Sequence, residues 1–175
     1  MKRVLLLLTV LLLFVLCACD GGGEATTENT SVQTTVEKVT TTWDDVEYPD
    51  RKSMEQALGC TMRVPEYADD MRCVILREVL GHIEFKVDNC EYVYRCALKE
   101  NNVEGSGLYG VAESRFLDDD VVKIIEGTEV TFRQTADGIE LAVWQNDEAN
   151  YSVAISADED GSIEMLAEIV DDILN

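Results

Sequence analysis

The chain is 175 residues long, and 35 acidic against 14 basic side chains give it a formal net charge of −21. A surface so negative repels phosphate backbones and anionic headgroups, which excludes nucleic acid as a partner. Cationic peptides, basic proteins or metal ions are the partners that charge favours, although such a surface also simply keeps an exported protein soluble.

Lys2 and Arg3 open the chain, and Val4 to Leu16 follow as an aliphatic run broken only by Thr9. As a helix this run covers about 20 Å, short of the roughly 30 Å of hydrocarbon that a spanning helix must cross, so residues 1–18 are expected to be a signal peptide that is removed. Leu16, Cys17, Ala18 and Cys19 resemble the bacterial lipobox, which makes Cys19 the expected lipidation site. Cys17 fails as the alternative, because Leu16 would then occupy the place of the small residue before the cleavage point. Two acyl chains, palmitate-like in length and adding about 0.8 kcal/mol per buried methylene, anchor a protein without a transmembrane helix. The expected location is therefore the extracytoplasmic face of the cell membrane.

Residues 19–47 are expected to be a disordered tether. Gly21, Gly22 and Gly23 open it, eight threonines fall between Thr26 and Thr42, and no apolar period is sustained. Residues 48–175 then suffice for one acidic extracytoplasmic domain with a single core.

Within that domain, Ser53 to Gln56 form a capping-box pattern, Met54, Ala57 and Leu58 share a helical face, and Gly59 suits a left-handed stop. Strand-like runs follow at Thr61 to Val64, Arg72 to Val79, His82 to Val87 and Glu91 to Leu98, with turns at Leu80–Gly81 and Asp88–Asn89; they predict an antiparallel meander. Asp137–Gly138 between Thr128 to Thr135 and Ile139 to Gln145 predicts a tight hairpin that sets Phe132 opposite Val143, Gln134 opposite Leu141 and Thr131 opposite Trp144. Tyr151, Val153 and Ile155 alternate as another strand. Ile163, Leu166, Ile169, Val170 and Ile173 recur at helical spacing over Ser162 to Leu174. The expected fold class is α+β, an antiparallel, meander-rich sheet with one face covered by a C-terminal helix and a short N-terminal helix.

Leu58–Gly59 before Val64, Pro65 and Glu66, then Gly105 to Gly110, then Ala142, Val143 and Trp144 followed by Tyr151, Ser152 and Val153, and the terminal helix, form an ordered set. It resembles a domain of unknown function found in Gram-positive, largely clostridial, lipoproteins and membrane-anchored anti-sigma-like proteins. The resemblance implies an extracytoplasmic α+β fold; it carries no established reaction and no catalytic residues. The four domain cysteines stand outside its pattern.

Cys60, Cys73, Cys90 and Cys96 are an even set in an exported domain, so disulfides are expected. Cys90 and Cys96 lie six residues apart on one strand, about 20 Å, too far for a bridge. The remaining options join Cys60 and Cys73 to Cys90 and Cys96 in either order, or form a single Cys60–Cys73 bridge. Close paired-cysteine spacing is lacking, so no zinc or other metal site is expected.

His82, beside a predicted turn, reads as a solvent-facing histidine. Asp118 to Asp120, and Asp158, Glu159 and Asp160 before Gly161, lack the alternating oxygen spacing of a calcium loop and read as solvation and helix capping. Gly105 to Gly110 has no phosphate-binding lysine and reads as a flexible turn into a strand. Trp144, with Arg133 on the same predicted surface, is the candidate ligand platform, unless the segment from Asn101 to Glu126 covers it.

The expected function is a non-catalytic, membrane-tethered interaction or sensor domain with no cofactor, its partners being the membrane through the anchor and a protein or cationic peptide. The alternatives are a lipid-anchored envelope enzyme, hydrolytic or thiol-dependent, and an immunity or envelope-structure protein that binds a cationic partner.

Overall fold

In the computed structural model of the protein, residues 45–155 and 162–175 are described. The signal segment, Cys19, most of the tether and Asp158 to Gly161 lie outside these residues.

Strand β1 (Val46–Tyr48) draws Val46 and Glu47, expected in the tether, into the sheet. Asp50 then caps helix α1 (Arg51–Leu58), accepting from Ser53 N at 2.8 Å, while the Ser53 hydroxyl donates to the other carboxylate oxygen at 3.0 Å. Ser53 thus supports the cap rather than forming it, and the helix starts three residues earlier than a Ser53 box predicts. Gly59 ends the helix at φ 81°, its N–H returning to Glu55 O.

The expected strand at Thr61 to Val64 does not form, because both backbone groups of Met62 are claimed by α1. Glu55 Oε1 accepts from Met62 N at 2.7 Å, and Arg51 Nη1 donates to Met62 O at 3.1 Å.

Strands β2 (Asp69–Leu76), β3 (Leu80–Val87) and β4 (Cys90–Leu98) make the expected meander. The first turn lies at Arg77 and Glu78, both at positive φ, and not at Leu80–Gly81. Gly81 instead sits inside β3, where a Cβ would stand 2.5 Å from Leu58 Cδ2 and 2.7 Å from Met62 Sδ. The missing side chain lets α1 lie close on the strand.

The segment after β4 holds a one-turn helix, α2 (Ser106–Tyr109), between two short 3-10 turns (Lys99–Asn101 and Glu113–Arg115), and then strand β5 (Val121–Ile125), which the sequence pattern did not reveal. Glu126 and Gly127 turn it into β6 (Thr128–Gln134), followed by β7 (Glu140–Gln145), β8 (Ala149–Ile155) and helix α3 (Ile163–Leu174), capped by Ser162. Among the described residues no helix is long and apolar enough to cross a membrane.

All eight strands form one antiparallel sheet in the order β1-β2-β3-β4-β8-β7-β6-β5, two four-stranded meanders joined along β4 and β8. The α+β expectation is thereby overturned: the fold is mostly β, with short helices dressing a single sheet. The sequence reading failed here because β1 and β5 fall in segments taken as tether and covering loop, and both extend the sheet rather than the helical layer.

The β6–β7 register also differs. Thr135 N donates to Ile139 O and Gly138 N to Thr135 O, closing a three-residue loop, so Phe132 pairs with Ala142 and Thr131 with Val143. A two-residue Asp137–Gly138 turn predicts every partner one residue further on, and one residue is enough to reverse the faces.

Two adjacent rows of paired residues run across all eight strands. The front row is Tyr48, Cys73, Ile83, Tyr94, Val153, Ala142, Phe132 and Val121; the back row is Glu47, Val74, His82, Arg95, Ser152, Val143, Thr131 and Val122. Helices α1 and α3 bury Met54, Leu58, Leu166, Ile169, Val170 and Ile173 in one cluster with the front face. On the back face α2 packs Leu108 against Leu80 and Ala97 in a second, smaller apolar cluster.

Candidate functional site

The structure brings two of the four domain cysteines together. Cys60 Sγ lies 2.8 Å from Cys96 Sγ, and both residues are buried. Cys60 leaves α1 through the Gly59 stop, and Cys96 faces it from the front of β4. The contact holds the Cys60 pKa down, whereas that of Cys96 is pushed far up by the same contact and by burial. Cys73 and Cys90 share the front face but not a neighbourhood. Cys73 pairs with Ile83 and Cys90 with Val87, which places them about 16 Å apart at the usual rise and strand spacing, beyond the reach of a bridge.

Trp144 and Arg133 fall on opposite faces, and the one-residue register difference is the cause. Trp144 is buried in the front cluster, its ring stacked on Tyr151 at 5.5 Å and on Tyr94 at 5.9 Å. Arg133 lies on the back, donating to Glu113 Oε2 at 2.7 Å and Asp120 Oδ1 at 3.2 Å with its guanidinium over the Phe116 ring at 4.2 Å. The expected shared platform is therefore not assembled. The Asp118 to Asp120 run supplies that arginine with a partner, and among the described residues no group of three or more potential ligands is arranged to hold a metal.

A polar constellation on the back face went unrecognised in the sequence. His82 is buried, contrary to the expected solvent-facing turn, because β3 begins two residues earlier and places it inside the sheet. Its Nδ1 accepts from Arg95 Nε at 3.1 Å, and Nε2 contacts Glu84 Oε1 at 3.1 Å. This fixes the proton on Nε2, assigned from the hydrogen-bond network. Arg72 donates to Glu84 at 3.2 Å and lies 3.4 Å from Glu47. Burial, foremost, and the neighbouring guanidinium of Arg95 lower the His82 pKa. Both ring nitrogens are engaged by protein groups, so the imidazole offers no lone pair to a substrate. The available signal was spacing: His82 and Glu84, two apart on a strand, must share a face.

Gly105 to Gly110 closes over this row. It forms α2 rather than a flexible turn; Leu108 O accepts from Arg95 Nη1 at 3.4 Å, and a Cβ on Gly110, at φ 74°, would stand 2.0 Å from that nitrogen. Glycine is needed there both for the backbone angle and for the guanidinium. A groove of about 720 Å³ separates α2 from the β5–β6 turn, with Glu104, Tyr109, Glu129, Thr131 and Asn150 among its walls.

Beside this groove, β5 is the last strand of the sheet. Val121, Val122 and Ile124 are 40, 56 and 67% exposed, three of the seven large exposed apolar side chains found among the described residues. Ile125 and Thr128 flank a two-residue turn and so form a hydrogen-bonded pair, which turns the backbone groups of Val122 and Ile124 outward. Exposed acids surround the strand: Asp118 and Asp119 before it, Glu126 and Glu129 after it. The nearby cations are engaged, Arg133 as above and Lys123 over the Phe132 ring.

No family model matches the chain, and neither does any curated protein or solved structure.

Proposed function

We propose that the protein is a lipid-anchored, non-catalytic binding protein of the extracytoplasmic membrane face, and that it takes an extended basic segment of a partner as a ninth strand along β5. The observation that carries this reading is the open edge itself: exposed Val122 and Ile124 with outward backbone groups, bracketed by exposed acids. Edge strands of this kind ordinarily carry blunting devices, and their main-chain groups are what β-augmentation uses. Acidic flanks favour lysine or arginine on the incoming strand and disfavour a second copy of a chain whose formal charge is −21. Anchoring rests on Lys2, Arg3, the aliphatic run and the lipobox ending at Cys19, together with the resemblance to lipoprotein domains.

The binding element is tested with a synthetic peptide of alternating lysine and valine, read by amide hydrogen exchange. Val122 and Ile124 amides are expected to gain protection, the affinity is expected to fall steeply as salt rises, and Ile124→Pro is expected to abolish binding while leaving the fold intact, since its N–H serves no strand of the sheet. Protection elsewhere, or binding indifferent to salt, overturns the reading. The anchor is tested by radiolabelled palmitate, which should enter the wild-type chain and not the Cys19→Ser variant.

A further inference from the structure

We infer that Cys60 and Cys96 are joined by a disulfide in the oxidised protein, a modification site that ties the irregular segment after α1 to the central strand β4. The inference is independent of what β5 binds and of where the protein resides.

Three observations converge on this pair. The sulfurs are 2.8 Å apart, in direct contact. Three other pairings are out of reach, since Cys90 lies six residues along β4 from Cys96, Cys73 and Cys90 are about 16 Å apart, and Cys73 is two strands and two residues from Cys96, about 12 Å between Cα atoms; Cys60 itself lies against Cys96. The segment being tied also needs a tie. Residues 60–64 have no ladder partner, and besides this contact the hydrogen bonds that hold them come from Glu55 and Arg51 to Met62. They nevertheless wall a second cavity of about 380 Å³, in which Thr61 and Arg63 face Tyr94, Trp144 and Ile173.

The chemistry is thiol–disulfide exchange. With oxidised glutathione as the oxidant, the Cys60 thiolate attacks one glutathione sulfur and expels a glutathione thiolate. The Cys96 thiolate then attacks the Cys60 sulfur of the mixed disulfide and expels the second. Two protein thiols lose two electrons and two protons, and one glutathione disulfide becomes two thiols. Because both residues are buried in the native state, the bridge forms during folding. It closes a loop spanning 36 positions, which restricts the unfolded chain.

The test uses the full chain carrying Cys17→Ser and Cys19→Ser, so that only the four domain thiols react. It is refolded from the reduced, denatured state in a glutathione redox buffer and mapped by non-reducing peptide mass analysis. A Cys60–Cys96 linked peptide is expected, with Tm lower by about 10 °C after reduction. Cys73→Ser should keep the linked peptide and the Tm difference; Cys96→Ser should lose both. A map that joins either residue to Cys73 or Cys90, or that shows all four thiols unbridged after refolding, overturns the inference.

Discussion

The front and back rows cross the same eight strands one residue apart, yet they are held by different physics. In the front row, Ile83, Tyr94, Val153, Ala142 and Phe132 are all but fully buried beneath the two flanking helices, and apolar area removed from water, at about 25 cal/mol per Å², is what binds them. In the back row the central members are His82, Arg95 and Ser152, and cohesion runs sideways from Glu47 through Arg72, Glu84, His82 and Arg95 to the Leu108 carbonyl. A front-row residue can be exchanged for another of similar volume. His82 and Arg95 in this chain cannot, because removing one leaves a polar group of the other unpaired away from water, whereas Glu47 and Arg72 at its outer end are exposed. The contrast also explains the caps: α1 and α3 bring apolar stripes to the front, whereas α2 brings a carbonyl and a glycine to the back.

Phe132 and Thr131 are consecutive on β6 and face opposite ways, so they set the two rows directly against each other. Phe132→Ala should cost about 3–5 kcal/mol by emptying a closed site, lowering Tm by about 10 °C or more. Thr131→Ala, at a half-buried position without a buried partner to strand, should stay within about 0.5 kcal/mol. Denaturant unfolding of both variants measures the difference, and comparable losses would break the distinction between the faces.

Much of the front was legible in the sequence and much of the back was not. The α3 stripe, the meander through β4 and the alternation of Tyr151, Val153 and Ile155 are periodic and local, and the structure contains each of them. What failed depended on one-residue or non-local facts. Asp137–Gly138 looks like a two-residue turn, but Ala136 joins it, and that single residue sends Trp144 into the core and leaves Arg133 behind. Thr61 to Val64 has strand composition, but the ladder groups of Met62 are taken by α1 side chains, a competition that no local pattern displays. β5 follows three aspartates and was hidden in a segment read as irregular. For the cysteines, spacing removed only the Cys90–Cys96 pair; choosing among the rest required knowing which thiol the exit from α1 would meet.

The smallest effect expected concerns the middle of the back row. His82 is the only histidine in the chain, and burial beside Arg95, opposed by its bond to Glu84, makes its imidazole harder to protonate folded than unfolded. A proton could enter only at Nδ1, where it would displace the Arg95 hydrogen bond and set two cations side by side. The unfolded chain therefore takes up a proton that the folded chain refuses. The resulting stability is complete above the ordinary imidazole value of about 6.5, falls as pH drops below it, and levels off once the depressed folded value is passed. Glu140, whose buried carboxyl titrates above its usual range, slopes the other way, so the comparison must be made by difference. His82→Asn removes the imidazole alone, and its unfolding free energy should decline less steeply than that of the wild type as pH falls from 7.5 to 5. Arg72, Glu84 and Arg95 keep their charges through that interval and cancel. Parallel slopes would mean that the imidazole is protonated as readily in the sheet as in water, and that the back row is a solvated charge network rather than a buried one.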